Sequence, residues 1–291
     1  MSGGADPREL CGILLHPAGH TLSPVIHATA YRVLGLAARY EVFDVPAEGL
    51  EAAWRSLVAR GFRQLSVSIP HKQAVMSLAD RLSPAVRAIG AANTLTRTAQ
   101  GIAADNTDWI GIVRTLERRG SWRDARALVV GAGGAARAAV YALAQLGCSV
   151  GVVNRSAERA AALAAELGAR TATLDEPYDL LIQTTPVGMH PHVAETAVPR
   201  AQLRRGALIM DAVYAPLETR LLREAREAGC ATQDGLDWLV LQAVEQLRLW
   251  SGRTLDPAPL RAAAEAALAA RVASPLSLPD ASGPEASPPR R

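Results

Sequence analysis

Three places in this 291-residue chain hold residue types that could carry chemistry. The first is Lys72, the only lysine among 31 basic residues, the other thirty being arginine. Asparagine is almost as scarce, confined to Asn93, Asn106 and Asn154 in a chain rich in alanine. If Lys72 were only a surface charge, arginine would serve there. An amine differs because burial and neighbouring charge can bring its deprotonation toward neutral pH, whereas a guanidinium stays protonated. A retained amine therefore points to proton transfer. The second place is Ala104-Asp105-Asn106-Thr107-Asp108, between a strand-like GIAA and a helix. Asp108 reads as a cap for that helix. Asp105 precedes the cap and could face a cleft, where a carboxylate beside Lys72 would hold the amine while the pair exchanges a proton with a substrate hydroxyl.

The third place is Gly131-Ala132-Gly133-Gly134-Ala135-Ala136, which fits G-x-G-x-x-(G/A) after an apolar strand and at the start of a helix. Glycines allow the tight turn and the close backbone approach, and a helix N-terminus offers free N–H groups to a pyrophosphate. The second strand of that unit ends in Asn154-Arg155-Ser156, with Arg159 one turn later, where an NAD site carries an acidic residue for the ribose hydroxyl. Two guanidinium groups suit a 2'-phosphate, so the cofactor read from these residues is NADP(H). His190 and His192 form an H-x-H pair with no further ligands near in sequence, and no metal is expected. His71 reads as a solvent-facing histidine at a helix start.

Such residues need elements to place them. CGILL (11–15), YEVFDV (40–45) and QLSVSI (64–69) read as strands, and PVIHATAYRVLGL as a helix begun by an N-cap at Ser23 and a proline at Pro24. Further helices are expected over 47–60 and from about 70 to 82. From Arg126 the chain reads strand ALVVGAG, helix GAARAAVYALAQLG, strand SVGVVN, helix SAERAAALAAELG, then strands near YDLLIQTT and ALIMDAVY. Helices alternating with strands specify an α/β fold. The expected organisation is an N-terminal α/β substrate-binding and catalytic domain over 1–107 and a Rossmann-type, doubly wound dinucleotide-binding domain over 108–235, with a cleft between them. Residues 236–272 read as helices packing back on the first domain, and 273–291, rich in Pro and Ser, as a disordered tail.

Composition narrows the function classes. With 49% hydrophobic and 20% charged residues the bulk of the chain is globular. A net charge of +3 spread along helices gives no basic run for neutralising phosphates, so nucleic acid is excluded as a partner. No stretch has the length of a membrane span, and the start lacks the pattern of a signal peptide, which makes the cytoplasm the expected location. Cys11, Cys148 and Cys230 are odd in number, widely spaced and apolar in setting, and read as reduced thiols.

Nine blocks in order carry a resemblance: HTLSPVIH (20–27), SVSIPHK (66–72), GAANT (90–94), ADNTD (104–108), GAGGAAR (131–137), NRSAER (154–159), TPVGMHP (185–191), DAVY (211–214) and DGLDWLVLQA (234–243). In them the chain resembles shikimate dehydrogenases from about Cys11 to about Val272. The resemblance implies reversible, NADPH-dependent reduction of 3-dehydroshikimate to shikimate in aromatic amino-acid and chorismate biosynthesis. It also implies that Thr21 and Ser23, with Tyr214, bind the substrate carboxylate. Ser68, Asn93 and Gln242 would bind ring hydroxyls, and Lys72 and Asp105 would be the catalytic pair. Gly131, Ala132, Gly133, Gly134 and Ala135 would hold the pyrophosphate, Asn154, Arg155 and Arg159 the adenosine phosphate, while Met189 and Gly235 would lie near the nicotinamide. Thr21 and Ser66 replace the usual serine and asparagine, which leaves a quinate/shikimate or aminoshikimate dehydrogenase using NAD(P) as the alternative. The expected partners are a small-molecule substrate and cofactor, with no nucleic acid and no membrane, for a monomer or homodimer. A non-catalytic NADP-binding sensor is the rival from another class.

Overall fold

The chain builds two separate six-stranded sheets, seen in a computed structural model that describes residues 8–19 and 21–273. The first half runs β1 (Glu9–Leu15), α1 (Ser23–Leu34), β2 (Ala38–Asp44), α2 (Leu50–Ala59), β3 (Gln64–Val67), β4 (Arg81–Leu82), α3 (Pro84–Ile89), β5 (Thr94–Thr98) and β6 (Gly101–Asp105). The second runs α4 (Asp108–Glu117), β7 (Arg126–Val130), α5 (Gly134–Gln145), β8 (Ser149–Val153), α6 (Ala157–Leu167), β9 (Arg170–Thr171), β10 (Leu180–Gln183), β11 (Leu208–Asp211), α7 (Arg220–Glu227), β12 (Ala231–Gln233), α8 (Gly235–Ser251) and α9 (Ala258–Ala273).

The first sheet has the order β2-β1-β3-β5-β6-β4 and is mixed. β1 lies parallel to β2 and β3, while β3, β5 and β6 alternate in direction through the pairings Leu65–Leu95 and Thr94–Asp105. That β5–β6 hairpin brings Asn93, just before β5, and Asp105, at the end of β6, to the edge where β1 and β3 also end. The second sheet is parallel throughout, in the order β12-β11-β10-β7-β8-β9. Its connections reverse between β7 and β10, which opens a crevice beyond their carboxyl ends. The α/β class read from the alternation therefore holds, with a parallel sheet whose central strands are buried on both faces.

One helical expectation fails locally. Residues 70–82 do not form an α-helix; they turn, pass through a short 3-10 segment at Ala74–Leu78 and end in β4. The cause is tertiary: the Lys72 carbonyl, which a helix would offer to Met76, accepts from Ala92 N–H at 2.7 Å. The helices expected over 236–272 are α8 and α9, divided where α8 closes on Gly252 in the left-handed conformation (φ 68°) and Pro257 precedes α9. The segment expected to be a tail lies, from residue 274, outside the described residues.

α8 and α9 pack with α1. Leu22, Ile26 and Ala30 share a core with Leu236, Val240, Leu247, Leu260 and Ala264. Each large apolar side chain buried there contributes about 1.5–3 kcal/mol. α4 and α8 approach so closely that a Cβ on Gly111 would lie 2.9 Å from the Trp238 carbonyl.

Candidate active site

α4 begins directly after β6, and its start decides what faces the cleft. Asn106 Oδ1 accepts the Asp108 N–H at 3.0 Å, so the capping contact is made by Asn106. The Asp108 carboxylate is left to accept from Lys72 Nζ at 2.6 Å, with both side chains largely buried. This corrects two expectations, that Asp108 is a cap and that Asp105 lies beside Lys72. Asp105 turns away from the lysine toward Ser83, Glu245 and Arg248. Burial raises its carboxyl above the ordinary range, with the Ser83 hydrogen bond opposing. It opens into a separate recess with Trp109 and Tyr141. The physical reason is the turn at Asn106, which redirects the chain within three residues.

Beside the pair lies a buried amide cluster. Asn93 Nδ2 donates to Thr107 Oγ1 at 3.0 Å and to Gln242 Oε1 at 3.2 Å, while its Oδ1 accepts from Thr107 N–H at 2.7 Å and Thr94 Oγ1 at 2.8 Å. Gln242 Nε2 donates to the Leu239 carbonyl at 2.8 Å. Asn93 is thus held on four sides by the protein, and a ligand hydroxyl meeting it would exchange one of these bonds. Gln246, one turn beyond Gln242, donates to Thr94 Oγ1 and accepts from Ser66 Oγ, both at 2.9 Å, fixing α8 over the sheet. Ser68 is half-buried and follows β3 at the same edge.

Tyr214 meets Thr21 at the start of α1, where the Ser23 side chain reaches Tyr40. Thr21 Oγ1 accepts the Ser23 N–H at 3.2 Å, the contact that a capping Ser23 was expected to supply; Ser23 itself is the first helical residue and buried. Burial raises the Tyr214 hydroxyl above its ordinary value against the influence of Arg271, Leu22 and Thr21, which leaves it a neutral donor at physiological pH.

The dinucleotide-type loop leaves β7 through Gly131, at φ 124°, where a Cβ would collide with the Thr184 hydroxyl. No side chain caps α5, and the space around Gly133 is open to 4 Å. The Gly131 N–H donates to the Val153 carbonyl at 2.8 Å, and the N–H groups of Ala132–Ala135 are those that face an incoming anion. A Cβ on Gly134 would lie 3.0 Å from Lys72 Cδ, so the helix start and the lysine are in contact. Asn154 Nδ2 holds the Ser156 carbonyl at 3.1 Å. Arg155 and Arg159 are exposed and make no ion pair among the described residues, in contrast to Arg126 or Arg261. These residues fit a phosphorylated dinucleotide: an uncapped helix start for a pyrophosphate and two available cations for a 2'-phosphate.

Met189 is half-buried in the loop after β10. Gly235 opens α8, where a Cβ would lie 2.5 Å from the Ala212 carbonyl, so packing alone demands glycine there. Asp211 anchors this region, accepting from Gln183 Nε2 at 3.2 Å and Thr219 Oγ1 at 2.7 Å, and burial raises its carboxyl to about 6. His71 is buried, not solvent-facing; its Nε2 lies 2.6 Å from the Val45 carbonyl. His190 is exposed, and His192 lies 3.6 Å from Glu195.

Two family models match the chain, the shikimate dehydrogenase substrate binding domain over residues 13–95 and shikimate / quinate 5-dehydrogenase over 114–187. A shikimate dehydrogenase (NADP(+)) of Natronomonas pharaonis is 40% identical over 267 residues, 89% of this chain and 100% of that one. One from Bacillus cereus is 38% identical over 260 residues, 85% of this chain and 94% of that one. Among solved structures, shikimate 5-dehydrogenase of Thermus thermophilus in complex with NADP(H) and shikimate superposes with a TM-score of 0.84 at 37% identity, covering 89% of this chain and 99% of that one.

Proposed function

The chain belongs to the shikimate dehydrogenase family, and from that membership we propose that it interconverts 3-dehydroshikimate and shikimate with NADP(H). The observation that carries the reading is the Lys72–Asp108 contact packed against Gly134, the first residue of the helix that follows the dinucleotide loop. Proton-transfer groups and cofactor cradle share one wall. When bound, NADPH supplies a hydride. The chain's own residues do the rest. Gly131, Gly133 and the α5 N–H groups hold the pyrophosphate, and Arg155 and Arg159 the 2'-phosphate. Thr21, Ser23 and Tyr214 orient the substrate carboxylate, while Ser68 and the Asn93–Gln242 cluster meet ring hydroxyls. Lys72, held by Asp108, gives its Nζ proton to the substrate carbonyl oxygen in reduction and recovers it in oxidation. Asp108 keeps the amine placed and balances its charge.

In this reading residues 1–107 handle the substrate, 108–235 the cofactor, and the helices to 272 brace the first part. No helix among the described residues is long and apolar enough to cross a membrane. A cytoplasmic location goes with three free cysteines and a reduced nicotinamide. The test is an assay of the purified chain with shikimate and quinate against NADP and NAD, beside Lys72→Arg. Shikimate oxidation with NADP is expected to be fastest, and Lys72→Arg to lose turnover by about 10²-fold or more while still binding NADP. Faster quinate oxidation with NAD would overturn the substrate assignment, and full turnover by the variant would overturn the role of the lysine.

A further inference from the structure

We propose that Arg271, in the last turn of α9, is a specificity-determining residue that selects an anionic substrate at the Thr21–Ser23–Tyr214 end of the cleft. The inference rests on the functional reading above and extends it to a residue outside every motif block. α9 runs antiparallel to α1: Arg253, before α9, donates to the Leu34 carbonyl at the end of α1, and Arg271 Nη2 donates to the Thr21 carbonyl at its beginning, at 2.9 Å. The second bond fixes a guanidinium on the residue whose hydroxyl faces Ser23 and Tyr214. Thr21, Ser23 and Tyr214 are neutral donors, and three neutral donors bind an alcohol or amide as readily as a carboxylate. A formal positive charge at the same place breaks that tie, because hydrogen bonds and fields acting on an ion are stronger than those on a neutral group. The charge already acts there, since Arg271 is the foremost influence opposing the burial of the Tyr214 hydroxyl. Arg271 is solvent-exposed, so its field is screened by salt.

The experiment compares wild type, Arg271→Gln and Arg271→Lys in shikimate oxidation with NADP at low and high potassium chloride, and repeats it with shikimate methyl ester. Glutamine keeps a donor for the Thr21 carbonyl and removes the charge. The expected result is a KM for shikimate raised about tenfold in Arg271→Gln and largely restored in Arg271→Lys, with the loss carried by KM and not by kcat. Raising salt is expected to increase the wild-type KM toward that of Arg271→Gln, whose own KM stays flat. The methyl ester, lacking the charge, should not distinguish the three proteins. An unchanged KM in Arg271→Gln, or an equal rise for acid and ester, overturns the inference and leaves Arg271 a brace for the α1 start. A wild type that does not oxidise shikimate overturns the functional reading, and this inference with it.

Discussion

Between Asp105 and Asp108 the chain changes from strand to helix, and the two carboxylates end on different sides of it. Asn106 makes the turn by accepting the Asp108 N–H, which releases one carboxylate to the lysine and sends the other toward Arg248. Asp108→Asn keeps the shape and removes the charge that holds Lys72, so kcat is expected to fall by about 10²-fold or more, whereas Asp105→Asn should cost only a few-fold. Steady-state kinetics of the two variants decide it, and the reverse ranking would restore Asp105 to the pair. His27, buried and stacked on Tyr40 at 4.3 Å, carries a pH dependence of a different kind. Burial lowers its imidazole from 6.5 to about 3. The unfolded chain takes up a proton below about pH 6.5 and the folded one does not, so stability is complete above that pH. It is lost as pH falls toward 3, by up to about 1.4 kcal/mol per unit. His27→Phe retains the stack without the titration, and its acid unfolding midpoint, followed by circular dichroism, should move to lower pH.

The β7–loop–α5 element is local in its logic and non-local in its consequence. Periodicity and glycine spacing were enough to place it, since a parallel strand and its crossover helix announce themselves within about 30 residues. That Gly134 must also leave room for the Lys72 stem was not legible, because the two meet only after both sheets are built. Gly134→Ala puts a Cβ 3.0 Å from Lys72 Cδ and 3.2 Å from Lys72 Cβ. The stem must shift, so kcat is expected to drop about tenfold, while the gain in helix propensity, up to about 1 kcal/mol, keeps the melting temperature near wild type. Unchanged kcat would show that the stem yields without cost. The segment 70–82 makes the opposite point: its apolar spacing is helical, yet Ala92 N–H takes the Lys72 carbonyl that a helix would need. Propensity lost to a bond from twenty residues away.

At the scale of the molecule, Arg137 joins the two halves of the chain. From α5 it donates to the Ile89 carbonyl at the end of α3, pairs with Glu166, and packs against Gly90, while almost wholly buried. Arg137→Ala leaves a carbonyl at a helix end without its partner and removes the strut that keeps α5 against Lys72. A loss of about 2–3 kcal/mol is expected, together with raised KM for both substrates, read by calorimetry and kinetics. A lower melting temperature with normal KM would limit Arg137 to stability. The α/β alternation, the doubly wound second sheet, the glycine-rich turn before α5, the two arginines that follow β8 and the singular lysine were all legible in the sequence alone, because each is written in periodicity, turn chemistry or residue type over a short span. The partner of Lys72, 36 residues away, and the meeting of Arg271 with Thr21 across 250 residues were decided only by tertiary structure. The reason is physical: which carboxylate faces an amine depends on strand register and on one turn at Asn106, and which helix end reaches a pocket depends on how the core of α1, α8 and α9 closes.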